Sequence, residues 1–287
     1  VHAARSRLTL VATAVLTVLA VLFLVVPLAV APLVHGDDGP PSVTDRDTLV
    51  IGVRDTPPGL AFRAGDGSLQ GFDVDVSTYI AGRLGVTSGD LTFRVLAPDE
   101  WETALNRGTV DMVVAAYTIT PERKERVTFA GPYYVAHQDI LVRQGDESVR
   151  NVRDLRGKRL CQVSGSDSWR RVTEDRKVAA SPVPARTYGE CVKALADGRV
   201  DAVSTDDLTL AGLAAAPGSG ATLVDAPFTD ERYGIGLRKG DVDGCQAVNR
   251  ILTGMYQNGA ADTLLDQWFT APGFDAASAV PRFEGCR

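Results

Sequence analysis

The residues best suited to hold a small anion stand in one stretch, Ala115-Ala116-Tyr117-Thr118-Ile119-Thr120-Pro121-Glu122-Arg123. Thr120 reads as a helix N-cap and Pro121 as the first helical residue, where a missing N–H costs nothing. Arg123 then falls in the first helical turn. A cation there faces the positive end of the helix dipole and is unfavourable unless an anion sits nearby. Free backbone N–H groups, the Thr118 hydroxyl and the guanidinium would converge on one spot, a seat for a carboxylate. A surface arginine paired with Glu122 or a distant acid fits the same residues.

The elements that must position this stretch come from an internal repeat. Ala104-Leu105-x-x-Gly108-x-Val110-Asp111-x-Val113 recurs ninety residues later as Ala194-Leu195-x-x-Gly198-x-Val200-Asp201-x-Val203. Each copy reads as helix, glycine stop and buried strand, and two copies in matching order predict two similar α/β lobes. Strands are also expected at 49–53 and 159–163, the second running into Ser164-Gly165-Ser166-Asp167-Ser168 and a helix. In open α/β sheets ligands bind beyond the carboxyl ends of the strands. Those ends are Arg54, 116–118, 165–168 and 204–207, so four loops from two lobes would face one cleft.

Elsewhere the pattern predicts a hairpin at 65–67, a helix from about Val74 to Leu84, a strand at 233–238, and helices at 248–255 and 260–269 before a loop-like tail, 271–287. Residues 36–47, rich in Pro, Gly and Asp, read as a tether.

Composition bounds the function classes. The chain has 287 residues, a net charge of −6 and 23% charged residues, with no long basic run, which argues against nucleic-acid binding. Arg5 and Arg7 precede an apolar run, 8–34, whose only polar residues are Thr9, Thr13 and Thr17. This run exceeds the roughly 7–15 residues of a signal core and reaches the roughly 20 of a membrane span. Residues 1–35 are therefore expected to be an uncleaved anchor, with secretion after signal cleavage as the alternative. Arginines before the span and Asp37 and Asp38 after it place the remainder outside the cytoplasm. Four cysteines in an exported chain imply two disulfides. Three pairings are open; Cys161–Cys191 with Cys245–Cys286 is favoured, because the crossed pairings would tie the lobes together. No C-x-x-C spacing points to a metal, and no metal or cofactor is expected.

Five segments carry a family likeness: Gly71-Phe72-Asp73-Val74-Asp75-Val76, Thr118-Ile119-Thr120-Pro121-Glu122-Arg123, Phe129-Ala130-Gly131-Pro132-Tyr133-Tyr134, Gly157-Lys158-Arg159 with Gly165-Ser166, and Tyr233-Gly234-Ile235-Gly236-Leu237-Arg238-Lys239-Gly240. In this order, over about residues 48–270, they resemble the bacterial extracytoplasmic solute-binding proteins of family 3, which serve polar amino acids, especially the actinobacterial glutamate-binding branch. The resemblance implies a two-lobed periplasmic-binding-protein-like α/β fold of type II, with a hinge of two crossing strands. Lobe 1 would span 46–135 and 230–287, lobe 2 136–229, both following the N-terminal transmembrane helix. It implies that Arg123, with Thr118 and Ala116, holds an α-carboxylate, helped by Ser166, and that Asp206 takes the α-ammonium. Asp206 or Asp207 could equally cap a helix, and Ser166 could cap the helix that starts at Ser168. Tyr117 and Phe62 are candidate pocket walls that fit core packing as well.

The side-chain end is less uniform. Arg54 matches a family arginine, whereas Trp101 stands where glutamate-binding relatives often carry another, and Asp167 replaces their usual Thr or Ser. The resulting expectation is a monomeric ectodomain that binds glutamate or aspartate, or else glutamine or asparagine. It would deliver the ligand to the permease and ATPase of an ABC importer at the outer face of the cytoplasmic membrane. A membrane-tethered amino-acid sensor is one alternative. A dehydratase-like enzyme using His137, Glu100 or Asp167 is another, although no pair of these has diagnostic spacing and no catalytic residue is assigned.

Overall fold

The structure, a computed structural model, describes residues 41–55, 57–269 and 281–286. The expected N-terminal anchor and residues 271–280 of the tail lie outside the described residues. Among those described, no helix is long and apolar enough to cross a membrane.

The chain enters through β1 (Leu49–Val53), a hairpin of β2 (Phe62–Arg63) and β3 (Leu69–Gln70), and helix α1 (Phe72–Arg83). There follow β4 (Leu91–Val95), α2 (Trp101–Asn106), β5 (Met112–Thr118), α3 (Pro121–Arg126) and β6 (Thr128–Ala136). β1 runs parallel to both β4 and β5. It is apolar on both faces because cover lies on both: α1 packs into one core cluster and α2 into the other.

One residue, His137, separates β6 from β7 (Gln138–Arg143), which is the centre of a second sheet. The second lobe continues with β8 (Arg159–Val163), a one-turn α4 (Ser168–Arg170), β9 (Ser181–Ala185), α5 (Tyr188–Ala196), β10 (Val203–Asp206), α6 (Asp207–Ala215) and β11 (Ala221–Leu223). β10 and β11 flank β7 antiparallel, and the parallel pair β8–β9 joins through a bridge from Leu160 to Ala202. The chain then returns as β12 (Glu231–Leu237), which lies antiparallel between β5 and β6 in the first sheet. Helices α7 (Val242–Gln257) and α8 (Ala260–Phe269) close the first lobe. Two α/β lobes thus share two strand crossings.

The sequence repeat is also a repeat of hydrogen bonds. Gly108 N–H donates to Leu105 and Thr109 N–H to Ala104, while Gly198 N–H donates to Leu195 and Arg199 N–H to Ala194. Both glycines take positive φ, +66° and +71°, as this helix stop requires. Asp111 accepts from Val50 N–H at 2.8 Å, and Asp201 accepts from Arg159 N–H at 2.8 Å. In each lobe the repeat aspartate satisfies the opening of the neighbouring strand.

Three elements differ from expectation. The helix expected at 248–255 begins at Val242, because Asp241 caps it through Gly244 N–H and Cys245 joins its buried face. The helix after Ser168 is one α-turn continued by a π-helical turn, Arg171–Asp175. Part of the expected tether is packed: Ser42 Oγ and Val43 N–H both donate to Asp241, and Val43 is buried. Cys161 bonds to Cys191 and Cys245 to Cys286, each within one lobe.

Candidate functional site

The strand ends of both lobes meet around a polar cavity of about 30 Å³. Lobe 1 contributes Arg54 after β1, Pro98 and Trp101 around the start of α2, Ala116 and Thr118 of β5, and Arg123 of α3. Lobe 2 contributes the 165–168 turn, Tyr188 at the start of α5, and Thr205 with Asp206 at the end of β10. Glu231, where β12 opens, completes the wall. The lobes touch closely here. Gly165 has φ +74°, and a Cβ on it would strike the backbone of Asp99. A Cβ on Gly212 of α6 would likewise strike the Pro58 carbonyl.

Arg123 is 8% exposed. Its Nη1 donates to Thr118 O at 2.9 Å and lies 3.1 Å from Asp167 Oδ2, and its Nη2 donates to Gly165 O at 3.0 Å. The guanidinium lies 4.9 Å over the Tyr117 ring and 6.0 Å over that of Trp101, a stacking that holds a cation in a buried wall. Thr120 caps α3 by accepting from Arg123 N–H at 3.3 Å. Arg123 pairs with Asp167 and approaches Glu102, rather than Glu122.

Arg54, also 8% exposed, donates from Nη2 to Thr209 Oγ1 at 3.4 Å, and its Nε is buried with no partner among the described residues. Near it Asp73 is wholly buried and accepts from Tyr133 Oη at 2.6 Å. Burial pushes the Asp73 carboxyl up to about 6, opposed by the Arg54 charge. Asp206 is 7% exposed and serves two elements. It ends β10 and caps α6, accepting from Thr209 N–H at 2.8 Å while lining the cavity. Its neighbour Asp207 is pushed up to about 6 by burial and by the Asp206 charge. His137, in the first crossing, lies 3.4 Å from Asp207 and 3.5 Å from Asp230, outside the cavity lining.

Ser166 belongs to a cluster of hydroxyls: its Oγ lies 2.6 Å from Tyr188 Oη, and Ser168 Oγ lies 3.0 Å from both Tyr188 Oη and Thr205 Oγ1. Ser168 N–H also donates to Ser166 Oγ at 3.3 Å, so the capping role is present too.

The expected set is thus brought together with exceptions. Ala116 lines the cavity in a left-handed backbone, φ +48°, but its N–H donates to Tyr133 Oη at 3.1 Å. That amide is committed to the lobe 1 interior and is not an anion donor. Tyr117 is fully buried behind the wall and donates to Glu102 at 2.8 Å. Phe62 stacks edge-on to Trp268 at 5.9 Å and does not line the cavity. Ser168 and Thr205 lie in the expected strand-end loops without an assigned role, whereas Tyr188 and Glu231 lie outside those loops. Tyr188, directly after the Thr187 cap, reads as core, and Glu231 precedes the strand-like run that begins at Tyr233.

Arg54, Pro98 and Tyr188 also border a second cavity of about 150 Å³, lined further by Val95, Leu96, Ala97, Val163 and Arg186. A larger groove, about 580 Å³, lies on another face between Lys124, Arg171 and Arg232. Most of its charges have partners: Lys124 and Arg232 pair with Glu284, Arg171 with Glu231 and Asp175, and Asp230 with His137, while Arg176 lies over the Phe228 ring. Among the described residues no His, Cys, Asp and Glu cluster suits a metal ion.

Residues 49–271 match the family model for bacterial extracellular solute-binding proteins, family 3. The chain belongs to this family. Among its relatives, the glutamate-binding protein GluB of Corynebacterium glutamicum is 36% identical over 81% of this chain and 82% of its own length. The ABC transporter glutamine-binding protein GlnH of Bacillus subtilis is 32% identical over 79% of this chain and 83% of its own. Among solved structures, an ancestral arginine-binding protein bound to glutamine superposes with a TM-score of 0.72 at 35% identity, covering 79% of this chain and 99% of that one. The family is described as extracellular solute-binding proteins, and the two-lobed fold described above is shared with its solved relatives.

Proposed function

We propose that this family 3 protein binds a polar amino acid, glutamate or aspartate first and glutamine or asparagine next, in the cleft between its lobes. It delivers that ligand to an ABC importer at the outer face of the cytoplasmic membrane, where the N-terminal apolar run anchors it. The observation that carries this reading is the placing of Arg123 and Asp206. They are opposite charges, each over nine-tenths buried, and they line one small cavity from different lobes. A zwitterion answers both at once. Arg123 and Thr118 take the α-carboxylate, Asp206 takes the α-ammonium, and Ser166 supports the lobe 2 side. Binding both ends favours the closed arrangement, which is how a ligand shifts a hinge equilibrium.

The side chain then runs past Arg54 into the adjoining cavity, whose walls are apolar apart from Arg54, Asp55, Arg186, Thr187 and Tyr188. Two buried donors, Arg54 Nε at the junction of the two cavities and Trp101 Nε1 in the wall of the first, have no partner among the described residues. Both suit a side chain ending in oxygen. The glutamate- and glutamine-binding relatives agree with that end group. Of the three groups that the dehydratase alternative would use, Glu100 is spent on Ala97 N–H, His137 stands at the hinge, and Asp167, which lines the cavity, is paired with Arg123. A thermal-shift screen of the full chain against the amino acids tests the proposal. Site binding raises the melting temperature by mass action, most for an acidic amino acid or its amide. No shift with any amino acid would contradict it.

A further inference from the structure

The cation on which the proposed site depends already faces a carboxylate supplied by the chain itself. Arg123 belongs to lobe 1, and Asp167 to the lobe 2 turn between β8 and α4. Every nitrogen of the guanidinium has an oxygen nearby. Nη1 faces Thr118 O and Asp167 Oδ2, Nη2 faces Gly165 O, and Nε lies 3.8 Å from Glu102 Oε1. The Arg123 and Asp167 side chains are 10% and 24% exposed, so salt screens the pair less than a surface one. The contact is a charge contact and not an aligned hydrogen bond: Asp167 Oδ2 is buried without a hydrogen-bond donor. The other oxygen, Oδ1, lies 4.0 Å from the half-exposed Arg170, a partner for the carboxylate when it leaves Arg123. The carboxylate is therefore near its cation, weakly fixed and displaceable.

We propose that Asp167 is a tethered competitor for the carboxylate seat on Arg123, and that it sets both ligand affinity and the tendency of the lobes to close. The affinity half rests on the amino-acid reading given above. A tethered group loses no translational freedom on pairing, and its effective concentration reaches the millimolar range for a short flexible link. A ligand carboxylate must displace Asp167 or share the guanidinium with it, and either lowers the apparent affinity, the first by the fraction of sites so occupied. The opposite sign follows if Asp167 instead accepts the ligand's ammonium.

Asp167→Asn and Asp167→Ser separate these cases in the full chain. By calorimetry with the best amino acid from the screen, both variants should bind about tenfold more tightly than the parent protein. Unchanged or weaker binding in both overturns the affinity role. Closure is read without ligand, from the distance between spin labels on the exposed positions Arg107→Cys and Asp197→Cys. Replacing Asp167 with Asn should shift the free protein towards longer distances, and should have no effect when Arg123→Ala is already present. An unaltered distance distribution overturns the cross-cleft role. If no amino acid binds either protein, the ligand reading fails, and the distance measurement still decides whether Asp167 and Arg123 hold the lobes together.

Discussion

At the scale of single residues, the site depends on charges that burial makes strong. Arg123→Ala should remove about 2–5 kcal/mol of binding free energy, the usual loss when one member of a buried charged pair is truncated; calorimetry would read it as near-complete loss of binding. For Asp206 the informative variant is Asp206→Asn. Asparagine is an equally good N-cap, so α6 stays capped through Thr209 N–H while the charge disappears. Binding should fall as for Arg123→Ala with little change in melting temperature. Retained affinity in either variant would refute its role. Asp73 gives a prediction in pH. Its folded carboxyl titrates near 6, above the ordinary 3.8. Between those values the folded protein holds more protons than the unfolded chain, so this group costs stability as pH rises from 4 to 6. Asp73→Asn keeps an acceptor for Tyr133 Oη and removes the titration. Melting curves of the variant, compared with the parent, should gain relative stability across that window; a constant offset would show that Asp73 does not titrate there.

At the scale of elements, the repeat was the most legible feature. Ala-Leu-x-x-Gly-x-Val-Asp encodes helix, stop and strand in each lobe, and its aspartates bond the neighbouring strand in the same way. Asp111→Ala and Asp201→Ala should each lower stability, by roughly 1–3 kcal/mol for a lost hydrogen bond to a charged acceptor. Asp111 should show the larger loss, because its side chain is 8% exposed against 21% for Asp201; equal or negligible losses in denaturant titrations would contradict the assignment. The stretch 115–123 was legible for the same reason: Thr120 and Pro121 are local capping signals that the structure uses. What local signals cannot carry is orientation. The Ala116 amide turns inward because Tyr133, seventeen residues away, offers it an acceptor. Phe62 turns to Trp268 of α8, and the early start of α7 depends on a cap by Asp241 that lies outside the apolar periodicity.

At the scale of the whole molecule, two lobes with two strand crossings follow from the chain leaving the first sheet after β6 and returning as β12. The repeat and the family segments made that plan readable. The lobes' closeness was not readable, since contacts such as Gly212 with Pro58 join residues far apart in sequence. Each disulfide closes a loop within one lobe, spanning 30 and 41 residues, and leaves the crossings free to bend. Cys286→Ser should reduce stability by about 3–4 kcal/mol on chain-entropy grounds; a loss well under 1 kcal/mol in denaturant titrations would show the tail to be dispensable. The central claim is that opposite lobes grip the two charged ends of one amino acid. Calorimetric titration of the full chain with the best-binding amino acid, its α-amide and its N-acetyl derivative tests this most directly. The account predicts one-to-one binding of the unmodified amino acid and loss of binding for both derivatives. Comparable affinity for either derivative would contradict it.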